Sequence, residues 1–138
     1  MPVKLKVHDS IFVPLAKWSM LVTGNYRCVL KDSARSIREA VHNDIEASRA
    51  LYNWVRELCL TLGAAPDDLV PFEKYASAAQ GLALPSSGAR ALFAGAKNIE
   101  RVDRLVQGIA AQRGMRSAAL DETVALVDAR LALNRHRG

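Results

Sequence analysis

The sequence predicts an all-α fold, a compact bundle of five to seven helices forming one domain over residues 1–138. Three observations predict it. Apolar residues recur at spacings of three and four along several segments, which places them on one face of a helix. Alternation of apolar and polar residues is confined to residues 3–7, too little for a sheet-based core. Helix punctuation falls between the periodic segments, with Pro66 where a helix would start and Gly63, Gly95 and Gly114 where helices would stop. Half of the 138 residues are apolar, so the chain can bury a core of its own.

The elements follow in order. Residues 11–30 carry Ile11, Val13, Leu15, Trp18, Leu21, Val22 and Val29, with Pro14 near the start, and predict a largely buried helix entered through the extended stretch at residues 3–7. Asp32 or Ser33 is placed to cap a short helix over residues 34–41. Asn43 with Glu46 reads as a capping box opening a long helix, whose core stripe is Ala47, Leu51, Trp54, Val55, Leu58 and Leu62 and whose left-handed C-terminal cap is Gly63. Pro66, followed by Asp67 and Asp68, opens a helix running to residue 79 or 80, because proline suits the first turn and carboxylates favour the positive end of the helix dipole.

Residues 81–87, with Gly81, Pro85 and paired serines, are the clearest loop. Ser86 or Ser87 caps a short helix over residues 89–94 that Gly95 ends. A stripe of Ile99, Val102, Leu105, Val106 and Ile109 predicts an amphipathic helix ended near Gly114. Leu120, Val124, Val127 and Leu131 define one face of a last helix beginning near Ser117.

Composition narrows the function. No signal-like segment and no apolar run of bilayer length interrupts the chain, so a cytoplasmic protein without a membrane partner is expected. Cys28 and Cys59 lie inside apolar periodic stretches without CxxC or Cys/His spacing and are expected to be buried, reduced thiols. The net charge of +5 permits an anionic partner. The arginines are nevertheless spread along the chain, only the tail from Arg135 is dense, and no one-sided basic stripe with aromatics points to nucleic acid. The histidines His8, His42 and His136 have no partner at ligand spacing, so no metal is expected. No glycine-rich phosphate loop, H-E-x-x-H or G-x-S-x-G motif is present.

Three features carry possible chemistry. Lys17 and Asn25, eight residues apart in the mostly apolar first helix, lie two turns from each other and either line one cleft or serve as a snorkelling lysine and a satisfied amide. Pro85-Ser86-Ser87 is a rigid turn that holds an anion or simply caps a helix. Glu100 and Asp103, set against Arg101 and Arg104, supply a carboxylate to a polar ligand or form a solvated helix face.

Taken in this order, from the lysine-bearing helix through the Pro-Ser-Ser loop to the charged helix and the final helix, these features resemble the C-terminal helical domain of ketopantoate reductases (2-dehydropantoate 2-reductases), a fold like the 6-phosphogluconate dehydrogenase C-terminal domain. The resemblance runs over residues 3–133. Leu15-Ala16-Lys17-Trp18 with Asn25 is similar to the family's catalytic-lysine helix, which implies Lys17 as general acid and Asn25 as a substrate ligand. Pro85-Ser86-Ser87 resembles the family's substrate-carboxylate loop, which implies Ser86 and Ser87 as substrate-binding. Glu100 is the carboxylate nearest the family's glutamate, although a gap-free alignment sets Asn98 or Ile99 there. Further departures are Leu21 where the family has a second asparagine, Gly88 for a methionine and Ala91 for an acidic residue.

In that family a Rossmann domain binds NADPH, and these 138 residues contain no motif to replace it. The resemblance therefore implies a substrate-binding and dimerisation domain of an NADPH-dependent oxidoreductase of the pantothenate biosynthesis type. It would not be catalytically competent alone, would hold no cofactor itself, and would partner a second copy or a separate Rossmann domain, with a small 2-keto acid as ligand. The first helix and the Trp54-bearing helix are expected to offer the apolar patch for that association. The alternative is a stand-alone helical association module or nucleic-acid adaptor using Arg101, Arg104, Arg113, Arg116 and Arg130.

Overall fold

A computed structural model describes residues 14–137, and these residues are helical throughout apart from short connections. Seven α-helices are present among them, numbered here α1 (Leu15–Met20), α2 (Ile37–His42), α3 (Ile45–Thr61), α4 (Phe72–Ala79), α5 (Ser87–Phe93), α6 (Val102–Gln112) and α7 (Ala118–Arg137). No strand is formed among the described residues, and the single bridge pairs Val29 with Ala34 across a tight turn. The extended stretch expected at residues 3–7, together with Ile11, Val13 and His8, lies outside the described residues.

The first helix does not stop at Met20. It widens into one π-helical turn over Leu21–Asn25 and then tightens into a 3-10 turn over Tyr26–Cys28. This composite helix is the centre of the fold, with Trp18 and Val22 buried on the side that packs against α3, and Cys28 and Val29 buried in the same core, where the 3-10 turn meets α2, α5 and α7. The long helix α3 buries Leu51, Val55 and Leu58 as its periodicity predicts, but Ser48, Tyr52 and Cys59 share that face, while Ala47, Trp54 and Leu62 are only half-buried. Its end is as expected, Gly63 holding φ of +99°. Both cysteines are free and buried.

Several element boundaries differ from the sequence reading, each for a local reason. The second helix starts at Ile37 rather than residue 34, because Ser36 and Glu39 form a complete capping box, the Ser36 hydroxyl taking the Glu39 amide while the Glu39 carboxylate takes the Ser36 amide. Asp32 and Ser33 sit instead in the tight turn, where the Leu30 amide donates to the Ser33 carbonyl. The cap of α3 is Asp44, whose carboxylate accepts from the Ala47 amide, one residue beyond the expected Asn43. The helix foreseen from Pro66 is a single 3-10 turn over Pro66–Asp68, and α4 restarts at Phe72 because Pro71 biases the residue before it away from the α region. The helix foreseen from Ile99 begins at Val102, after a non-helical Arg101.

A smaller cluster of Val41, Tyr52, Phe72, Tyr75, Ala76 and Ala79 joins α4 to α2 and α3, with Tyr52 stacked on Tyr75 at 5.4 Å. The loop between α4 and α5 is held to α2 by backbone, the Ile37 and Arg38 amides donating to the Leu84 and Leu82 carbonyls, and by the Arg38 guanidinium donating to the Gln80 carbonyl at 3.2 Å. Those two otherwise unpaired first-turn amides explain where the loop lies. On the other side, Leu120, Val124, Val127 and Leu131 of α7 are buried as predicted, and α7 packs on α5 and α6. No helix among the described residues is long and apolar enough to cross a membrane.

Candidate functional site

The composite helix, the 85–89 segment and the turn before α6 enclose a cavity of about 370 Å³. Its walls are mostly apolar, with Leu21, Val29, Leu92 and Ile99, and its polar residues are Asn25, Tyr26, Ser86, Ser87 and Glu100. Four of the five residues singled out in the sequence thus border one space, although they come from three distant parts of the chain.

Each arrives there by a different route. Asn25 closes the π-helical turn, and its side chain makes no hydrogen bond to a described residue, while its carbonyl accepts from the Ser86 hydroxyl at 2.9 Å. Ser86 is buried, and the same hydroxyl accepts from the Ala89 amide at 3.2 Å, capping α5. Its oxygen therefore ties the loop to the composite helix, while burial raises the Cys28 thiol pKa, offset in part by the Ser86 backbone and then by its side chain. Ser87 is exposed at the rim. Glu100 is exposed, with its backbone carbonyl accepting from the Tyr26 hydroxyl, which in turn accepts from the Val102 amide at 2.9 Å. Burial pushes the Tyr26 phenol up to about 12, so it stays protonated and keeps both contacts at ordinary pH.

Lys17 stands apart. It is exposed and does not border the cavity, two turns before Asn25 on the same composite helix. Eight residues of regular α-helix would leave the two about 80° apart in direction and roughly 12 Å apart along the axis. The wider π-helical turn rotates less per residue and reduces the angle, but the axial separation remains.

Two residues of this region carried no sequence signal. Arg90 borders an adjoining open groove that shares Asn25, Ser86 and Ser87 with the cavity and continues over Leu82, Ala83 and Leu84. A cation beside this amide and these hydroxyls makes the rim able to face a carboxylate. Tyr26 likewise could not be found from its neighbours in sequence, since its partners lie more than seventy residues away.

Two of the charged quartet, Arg101 and Asp103, form a structural unit with Asp128. Arg101 grips Asp103 through Nε and Nη2, both at 2.9 Å, and Asp128 through Nη1 at 2.7 Å, and Asp103 is fully buried. Arg101 therefore clamps the start of α6 to α7, and Arg130 lies on the Phe93 ring at 4.3 Å. Of the arginines considered for a basic surface, Arg104, Arg113 and Arg116 remain exposed. The apolar faces of the composite helix and of α3 are largely core, and the exposed large apolar residues among those described are Leu82, Leu84, Leu105 and Leu133.

The described residues form no strand, so the strand–glycine-turn–helix unit that cradles a dinucleotide in a Rossmann domain is not built by them. No group of His, Cys, Asp or Glu among the described residues is placed to hold a metal ion. Comparison of the chain with protein-family models, with curated proteins and with solved structures finds no match.

Proposed function

We propose that this chain is the substrate-binding and dimerisation domain of a ketopantoate-reductase-like, NADPH-dependent oxidoreductase, with a fold like the 6-phosphogluconate dehydrogenase C-terminal domain. The nucleotide would be held by a separate Rossmann domain. The observation that carries the reading is the convergence of Asn25, Ser86, Ser87 and Glu100 on one cavity of about 370 Å³. That space is within the range of small-molecule sites, and apolar walls with a few convergent polar groups suit a small branched acid.

Within the site the roles divide by chemistry. Asn25 offers an amide donor and acceptor with no partner among the described residues, and Ser87 offers a hydroxyl at the rim. Ser86 acts as a positioning residue, since its hydroxyl joins the loop to Asn25 and caps α5. Arg90, on the adjoining groove that shares Asn25, Ser86 and Ser87 with the cavity, supplies the cation that a carboxylate ligand needs. Lys17 lies outside the cavity, so the proposal is confined to ligand binding and carries no proton-transfer step.

The test is calorimetric titration of the purified chain with ketopantoate and with pantoate. Saturable binding that weakens about tenfold in Asn25→Ala and in Arg90→Ala, each losing a hydrogen bond to a charged or polar ligand group, is the expected result. Absence of saturable binding by either acid, or binding indifferent to both substitutions, overturns the reading. Dimerisation is checked by sedimentation, where Leu84→Asp should shift a dimer towards monomer, because Leu84 is 64% exposed beside the ligand groove.

A further inference from the structure

A second concavity lies on the opposite end of α5, where its C-terminal turn meets the last turns of α7. It encloses about 390 Å³ and is bordered by Phe93, Ala94, Gly95, Lys97, Arg130, Asn134 and Arg137. Three of these residues are cationic, none is acidic, and none of the three cations forms an ion pair with a described residue.

An ordinary account of cations beside a helix C-terminus is that they neutralise its free carbonyl groups. Here that role is already filled by other side chains. Asn134, buried between the helices, donates through Nδ2 to the Leu92 carbonyl at 2.8 Å and the Ala96 carbonyl at 2.7 Å. Arg135 donates through Nε to the Lys97 carbonyl at 2.9 Å and through Nη2 to the Asn98 side chain. Lys97, Arg130 and Arg137 are left with their charges uncompensated by any described carboxylate.

Arg130 is also pre-positioned. Its guanidinium lies over the Phe93 ring at 4.3 Å, which restrains the group, and its Nε is buried with no hydrogen-bond partner. A planar fork held by an aromatic ring, with two further cations around one hollow, matches the geometry and charge of a phosphate group.

We propose that this cleft is a binding site for a small phosphorylated ligand, with Arg130 as the fixed anchor and Lys97 and Arg137 as the mobile cations that close on the phosphate. The site is independent of the keto-acid cavity, which α5 separates from it. An extended polynucleotide fits less well, because the cations surround one hollow and do not form a track along the surface.

The experiment is calorimetric titration of the full chain with sodium pyrophosphate and with inorganic phosphate at low ionic strength, repeated with a short single-stranded oligonucleotide. Saturable one-to-one binding of pyrophosphate is expected, weakened about tenfold by Lys97→Gln and again by Arg137→Gln, each removing one charge-assisted contact. Both side chains are exposed, so these variants keep the fold even if Arg130→Gln, stacked on Phe93, does not. The paired control, Arg113→Gln with Arg116→Gln, should leave the affinity unchanged. No saturable binding of either phosphate probe, an equal loss in the control, or binding of the oligonucleotide alone would each overturn the proposal.

Discussion

Two neighbouring residues in the composite helix show how closely its position is specified. Gly24 is buried where the helix meets α4, and a Cβ added there would lie 1.9 Å from the Tyr75 hydroxyl and 3.3 Å from Ile37 Cγ2. Tyr75 has little freedom to retreat, since it stacks on Tyr52 and donates to the Met20 carbonyl. Gly24→Ala should therefore destabilise the protein by about 1–3 kcal/mol, the usual cost of overpacking a core, as measured by denaturant unfolding. Its neighbour Thr23 presents the opposite case, a fully buried hydroxyl with no hydrogen-bond partner in the π-helical turn. Thr23→Val keeps the shape and removes the unpaired group, and a gain of roughly 1 kcal/mol is expected in the same assay. A loss of stability would mean that the hydroxyl has a partner the fold requires.

At the scale of elements, the caps decide where helices begin, and they separate the sequence signal from what the chain uses. Ser36→Ala removes the serine half of the capping box of α2 and should cost about 1 kcal/mol, whereas Ser33→Ala, in the turn before it, should change stability little. The same contrast holds for Asp44→Ala against Asn43→Ala at the start of α3. Thermal unfolding of the four variants checks both pairs, and equal effects within a pair would refute the assignment. The sequence offered several acceptable caps within a few residues of each other, since Asp32, Ser33, Ser36, Asn43 and Asp44 are all good cap types. Choosing among them required knowing that the Leu82 and Leu84 carbonyls take the first amides of α2. The break at Pro71 differs in being legible in the residue itself, since proline biases the residue before it away from the α region, although the single helix expected from Pro66 runs through it.

For the whole molecule, the packed aromatic cluster and the buried thiols give stability a predictable alkaline limit. Burial raises the phenols of Tyr26 and Tyr52 to about 12, raises that of Tyr75 further, and raises the Cys59 thiol to about 11. All are acids whose neutral form is favoured in the folded state, so the unfolded chain ionises first. Stability should be unaffected by these groups below their ordinary values, near 9 for the thiol and 10 for the phenols, and should fall as pH rises from there through about 12. Chemical denaturation at a series of pH values reads this directly, and a flat profile between pH 9 and 12 would show that the groups are not buried as described. On the acid side the sign reverses for Glu39, held below the usual carboxylate range by hydrogen bonds from Ser36, so its contribution is lost as pH falls through that lowered value.

What this sequence determined by itself was the helical class, the buried faces of α3 and α7 at Leu51, Val55, Leu58, Leu120, Val124, Val127 and Leu131, and the stops at Gly63, Gly95 and Gly114. These are legible because periodicity and left-handed glycines act within one or two turns of chain. The tertiary structure alone decided that Asn25, Ser86, Ser87 and Glu100 meet at one cavity while Lys17 does not, that Arg90 joins its rim, and that Asn134 frees the cations of the second cleft. Those outcomes depend on contacts between residues tens of positions apart, such as Ser86 with Asn25 and Tyr26 with Val102. The physical reason is that packing a helix against its neighbours sets its rotation and axial offset, and a shift of one residue in either would turn a different side chain into the site.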